Sequence, residues 1–216
     1  MFFICLASAV IIPYLICSLN PAIIITKLKS GQDIRELGSG NPGLTNTMRT
    51  QGKGAALFVL LFDVFKGAIS IFIVMICTFH SHQSFYIWTA ALFSVIGHCY
   101  PVYYKFKGGK AVLVTVATGL VIEWLAALIA LLLFILIVKV SKYVSLGSII
   151  AAIAYPICIW LVGAFVWGRE NVLIGVTFTS VIGVLLIIKH KDNIRRLIAG
   201  TEKKITDKDK FHEKDE

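Results

Sequence analysis

The sequence predicts an all-α, polytopic integral membrane protein with seven transmembrane helices, and three observations carry that prediction. Apolar residues fill 57% of the 216 positions and charged residues only 15%, against about 25% charged in an average soluble domain. Mean hydropathy is +0.83, more apolar surface than an interior of this size can hide, so the excess must meet lipid. The third observation is the placement of the 21 Lys and Arg residues, which cluster in the short segments between apolar runs. This composition excludes a disordered chain, a secreted disulfide scaffold and an ordinary soluble enzyme. It leaves a net charge of +9 to be explained.

Taken in order, apolar runs cover residues 2–26, 55–79, 85–104, 111–138, 144–167 and 172–188. Five of them are within or close to the roughly 17–25 residues that a spanning helix needs. The run 111–138 is too long for one upright helix and carries Glu123 beside Trp124 in its middle. The positive-inside rule, which counts Lys and Arg in short loops, decides how to read it. With a break at Glu123, one side of the membrane holds 19 basic residues and the other only Arg169, with Lys66 inside a helix. Without the break the sides hold 9 and 11 and the bias vanishes. Seven helices follow, with the N-terminus outside and the C-terminus cytoplasmic. Glu123 and Trp124 then form a tight outer turn.

Residues 1–198 read as a single integral membrane domain. Residues 199–216 carry five Lys and six acidic side chains with no apolar periodicity, and are expected to be a disordered cytoplasmic tail. Residues 1–13 lack the basic start of a signal peptide. Cys5, Cys17, Cys77, Cys99 and Cys158 show no C-x-x-C pair or metal spacing and are expected as packed free thiols.

Three cytoplasmic segments carry chemistry. The first, GSGNPGLTNTMR over residues 38–49, contains a formal G-x-G-x-x-G. It lacks the strand and βαβ setting of a dinucleotide site, and Asp63, twenty residues on, falls within an apolar run. It reads better as a glycine-rich loop whose amides, with Ser39, Thr45 and Asn46, donate to phosphate oxygens. Arg49 adds a planar fork suited to phosphate. A plain membrane-surface turn would also be rich in Gly and Pro. The second segment, GHCYPVYYKFKGGK over residues 97–110, lacks P-loop spacing. Lys105, Lys107 and Lys110 around Gly108-Gly109 still suit an anion, Lys110 best of all because it opens the next helix. His98 has packing and catalysis as alternatives. The third, KHKDNIRRLI over residues 189–198, predicts a short helix with Ile194, Leu197 and Ile198 toward the membrane. His190 and Asn193 share one of its faces. Asp63 and Lys66 form a fourth signal, since charges within a span are costly and commonly functional; their i, i+3 spacing also permits a self-satisfying ion pair.

Together these segments resemble the PlsY family of membrane glycerol-3-phosphate acyltransferases, which take the acyl group from acyl phosphate. The resemblance rests on GSGNPGLTNTMRTQGKGAALFVLLFDVFKG (38–67), GHCYPVYYKFKGGK (97–110) and KHKDNIRRLIAGTEKKI (189–205). It implies that Ser39, Arg49, Lys110, His190 and Asn193 bind and orient glycerol phosphate. Asn41, Thr45 and Asn46 would shape the same loop, Gly108 and Gly109 would bring their backbone amides close to phosphate, and Gly40 and Lys107 join them as candidate substrate-binding residues. It further implies acyl phosphate and glycerol 3-phosphate as ligands, a bacterial inner membrane with the site on its cytoplasmic face, and a soluble enzyme that supplies acyl phosphate. No cofactor, metal or nucleic acid is implied. Leu44 replaces the family's usual alanine, Ala111 a third glycine, and Leu113-Val114 a common Ala-Thr.

The residues fit that chemistry. Acyl phosphate is already activated, so a covalent intermediate is unnecessary, and either a phosphate group or His190 could take the acceptor's proton. The H-x-x-x-x-D pattern of another acyltransferase family is absent, because Tyr103 stands five residues beyond His98 and Arg195 five beyond His190. A transporter for a small phosphorylated anion is the competing reading. Such proteins place their binding groups near the bilayer midplane, whereas these gather at one face.

Overall fold

The computed structural model describes residues 1–80, 83–169 and 172–207, and these contain helices but no strand. The helices are α1 (Phe2–Ser18), α2 (Pro21–Ser30), α3 (Leu44–Gln51), α4 (Lys53–Cys77), α5 (Gln83–Cys99), α6 (Val112–Ile122), α7 (Trp124–Ser141), α8 (Val144–Leu161), α9 (Leu173–Lys189) and α10 (Lys191–Ile198). Five stretches among the described residues are long and apolar enough to cross a membrane, or six if α9 and α10, bent by 59°, count as one. The apolar helix α6 is shorter than these.

Two breaks decide the architecture. The run 111–138 does part at Glu123, whose backbone (φ −141°, ψ 72°) leaves the helix for a single residue. Its carboxylate pairs with the Arg169 guanidinium, and Trp124 beside it is exposed. The second break was not anticipated. The run 2–26 separates into α1 and α2 because Asn20 precedes a proline, which disfavours helical backbone. Asn20 sits extended, its side chain accepts from the Ile23 amide at 3.1 Å and Pro21 opens α2, a common helix start. This frees the Leu19 carbonyl for a buried partner described below.

Helices α5, α6, α7, α8 and α9 pack each against the next and close a ring, with α1 and α4 outside it against α5 and α6. Small residues permit the close approaches that pack membrane helices. A Cβ at Gly67 would lie 3.0 Å from the Ala117 Cβ, and one at Gly183 only 2.7 Å from the Ala152 carbonyl oxygen. The outer face is apolar: Leu57, Leu61, Phe65, Phe72 and Ile76 of α4 are all exposed, and in a membrane that exposure is contact with acyl chains.

Candidate active site

Inside the ring lies a cavity of about 890 Å³ with two kinds of wall. Ser39, Asn41, Thr45, Arg49, Lys110 and Asn193 line its polar end, while α6 to α9 line the remainder with residues such as Val116, Ala130, Phe134, Ala152 and Ile182. Gly40, Gly108 and His190 belong to the polar end as well. Such a space suits a molecule with an anionic head and a hydrocarbon body.

The first loop is built around Asn46, which is buried. Its Oδ1 accepts from the Ser39 amide at 2.9 Å and its Nδ2 donates to the Leu37 carbonyl at 2.9 Å. Asn46 therefore holds Ser39 at the cavity and spends its own polar atoms in doing so. Its place is in shaping the loop. From α3, Arg49 donates through Nη2 to the Lys204 carbonyl at 3.0 Å.

Gly108 and Gly109 differ from the sequence expectation in a similar way. Their amides, expected to be offered to an anion, donate instead to the Cys99 and His98 carbonyls at 3.2 and 3.1 Å. A Cβ on Gly108 would lie 2.5 Å from the Pro101 Cδ, and one on Gly109 would lie 2.8 Å from the Pro42 carbonyl oxygen. Both glycines are needed for a backbone that passes this close to the end of α5. The cation that this loop brings to the site is Lys110, the next residue. Lys107 points elsewhere, lining a separate shallow cleft with Lys105, Asp33 and Arg35.

Lys110 donates from Nζ to the Asn193 Oδ1. Burial pushes its ammonium down to about 8, with Glu202 pulling the other way, so the cation persists at pH 7. His190 is turned into the cavity where α9 bends into α10. Its Nδ1 lies 2.7 Å from the Leu186 carbonyl oxygen, which can only accept, so Nδ1 carries the proton and Nε2 is left as an acceptor. Burial, reinforced by Lys110, pushes the imidazole down to about 4.

Asp63, Lys66 and His98 form a buried trio behind the second loop. Lys66 Nζ lies 2.8 Å from the Asp63 Oδ1, 3.0 Å from the His98 Nδ1 and 2.6 Å from the Leu19 carbonyl oxygen. The ammonium thus ties α4 to the break after α1 and to α5. Because the His98 carbonyl receives the Gly109 amide, the trio supports the loop that presents Lys110.

Residues 199–207, read from composition as part of a solvated tail, run back over the polar end, whereas residues 208–216 lie outside the described residues. The Ile205 amide donates to the Lys142 carbonyl at 2.8 Å. Glu202 accepts from Ser145 Oγ, Asn193 Nδ2 and Arg196 Nε at 2.6, 2.6 and 2.7 Å. Sequence reasoning missed Glu202, because one acid among many charges in a polar stretch has no pattern. It also missed Ser145 and Lys189, whose Nζ donates to the Cys99 carbonyl at 3.2 Å.

The chain matches the glycerol-3-phosphate acyltransferase family over residues 7–200. It belongs to that family. Glycerol-3-phosphate acyltransferases of Staphylococcus aureus strains bovine RF122 and JH9 are 38% and 37% identical to it over 200 residues, 90% of this chain and 95% of each relative. Its fold is similar to the crystal structure of PlsY, an integral membrane glycerol 3-phosphate acyltransferase, in the glycerol 3-phosphate form. The TM-score is 0.76 at 36% identity, covering 91% of this chain and 93% of that one. The lysophosphatidic acid form gives a TM-score of 0.73 at 34% identity. With these relatives and its apolar helices, the chain is a multi-pass membrane protein.

Ala111, which the resemblance sets against a glycine, carries a definite backbone cost. Ala111 is buried and adopts φ +59°, a left-handed conformation that costs an L-residue about 1–2 kcal/mol. Ala111→Gly should remove that strain while adding some unfolded-chain entropy. We expect a net gain of about 0.5–1 kcal/mol, read as a higher Tm in detergent. A lower Tm would show that the Ala111 methyl packs better than its backbone is strained.

Proposed function

We propose that this acyltransferase moves a fatty acyl group from acyl phosphate to the 1-hydroxyl of sn-glycerol 3-phosphate. The products are 1-acylglycerol 3-phosphate and phosphate. The single observation that carries this reading is the cavity whose cationic, hydrogen-bonding end continues into an apolar body. An aqueous phosphorylated acceptor enters at one part, and the acyl chain of the donor occupies the other. Arg49 and Lys110 hold phosphate, Ser39 orients it, Asn193 orients the Lys110 ammonium toward it, and His190 Nε2 accepts a hydrogen bond from a substrate hydroxyl.

The acceptor oxygen attacks the acyl carbonyl carbon, a C–O bond forms, and the bond from that carbon to the phosphate oxygen breaks. The hydroxyl proton passes to a phosphate group, whose second pKa is near 6. With His190 pushed down to about 4, phosphate is the better matched base at neutral pH. Arg49 and Lys110 stabilise the anionic charge that develops.

In this reading the chain crosses a bacterial inner membrane seven times, with the N-terminus outside and the chemistry at the cytoplasmic face. In support, four basic segments meet at one end of the ring through the Arg49–Lys204, Lys110–Asn193, Ile205–Lys142 and Lys189–Cys99 contacts. Arg169, the exception in the charge count, pairs with Glu123. Helix α6 is the short crossing, sheltered by α4, α5 and α7. The donor, acyl phosphate, would come from a soluble enzyme working at that face.

The test is purified protein in lipid nanodiscs with labelled glycerol 3-phosphate and, in separate reactions, acyl phosphate, acyl-CoA or acylated carrier protein. Product is expected with acyl phosphate alone. Product from a thioester would overturn the donor assignment. No product from any donor, together with glycerol-phosphate uptake in proteoliposomes, would favour transport.

A further inference from the structure

Glu202 has an unusual position for a residue of a charged C-terminal segment. Its side chain is only 8% exposed, and both oxygens are engaged. Oε1 receives Ser145 of α8 and Asn193 of α10, while Oε2 receives Arg196. Burial raises the carboxyl, but these three donors outweigh it and leave it below its ordinary value, so Glu202 is an anion and an acceptor only.

That fixes Asn193. Its amide lies between a carboxylate, which can only accept, and the Lys110 ammonium, which can only donate. Only one of the two amide orientations satisfies both neighbours: Nδ2 toward Glu202 and Oδ1 toward Lys110, as found. Removing the carboxylate frees the amide to turn, and a turned amide would set an N–H against the ammonium. Glu202 is also the largest favourable charge acting on Lys110. It is opposed by Arg196 of α10 and Lys189 at the end of α9, and joined by Asp192 of α10. Arg49, Lys191 and Lys203 also line this cavity, and His190, pushed down to about 4, is neutral at pH 7.

We propose that Glu202 is a positioning residue for the phosphate site, setting both the orientation and the charge of Lys110 through Asn193. The proposal rests on the acyl transfer reading for its kinetic consequence but not for its structural one. Glu202 itself need not touch substrate. It supplies the negative charge that lets a half-buried lysine remain a cation beside Arg196.

Two measurements on E202Q test this, with E202D as the conservative variant. In protein carrying 13C-labelled lysines, with the Lys110 signal assigned by its loss in K110R, Lys110 should titrate about half a pH unit or more lower in E202Q. In the acyltransfer assay, the alkaline limb of kcat/KM, which reports the free enzyme, should move in the same direction. KM for glycerol 3-phosphate should rise about tenfold at pH 8, and E202D should recover part of both effects. An unchanged Lys110 titration in E202Q with only a lower Tm would overturn the proposal and make Glu202 a pin for the C-terminal segment. If the wild-type protein transfers no acyl group, the functional reading fails, and the lysine titration still decides the role of Glu202.

Discussion

Lys110→Ala should lose about 10²–10³-fold in kcat/KM, the cost of removing one preorganised donor to developing anionic charge, while the protein stays folded. The two halves of that expectation have one cause. Lys110 is half-buried, and its principal partner, the Asn193 carbonyl oxygen, is neutral. Folding lowers its pKa from the ordinary 10.5 to about 8, so the unfolded chain holds this proton more tightly. By linkage, wild-type stability rises as the pH climbs from about 8 toward 10.5, and at pH 7 the charged lysine opposes folding. Taking it away therefore leaves Tm equal or higher while turnover collapses. Lys110→Arg should not rescue, because a planar fork cannot replace a compact ammonium against a single amide oxygen. Measured kcat/KM and Tm for both variants decide the matter. A loss of activity that tracks a loss of Tm would mean that Lys110 is a structural residue.

Lys66→Met should have the largest effect on stability, about 3–5 kcal/mol, because it strands the Asp63 carboxylate in the interior. Asp63 and Lys66 are 2% and 1% exposed. The change also deprives the Leu19 carbonyl of its donor at the break between α1 and α2. The double variant Asp63→Leu/Lys66→Met should recover most of the charge term, as replaced buried pairs often do, but not the cost of the orphaned Leu19 carbonyl. Denaturant or thermal unfolding of single and double variants reads both parts. A Lys66→Met protein as stable as wild type would show that His98, 3.5 Å from the Asp63 carboxylate, compensates fully for the missing ammonium.

The parts of the fold that depend on one-dimensional pattern were legible. The break at Glu123 emerged from lysine and arginine placement alone, and α10 from the spacing of Ile194, Leu197 and Ile198. The break at Asn20-Pro21 carried an equally plain local signal that the apolar run concealed. At the site, the residue types pointed to a phosphate ligand, while several side-chain positions depended on geometry that no spacing encodes. Asn46 spends its amide on the loop, and the Gly108 and Gly109 amides are taken by α5. Lys107 stands in a neighbouring cleft. Glu202 stayed hidden because its partners come from α8 and α10, 57 and 9 residues away in sequence.

The divided lining of the cavity has a practical consequence for handling the protein. A space with a cationic end and a hydrocarbon body matches the anatomy of a single-chain anionic surfactant as well as that of an acyl phosphate. Alkyl sulfates and alkyl phosphates used for extraction would occupy the site as competitors. The choice of solubilising agent thereby becomes part of the enzymology.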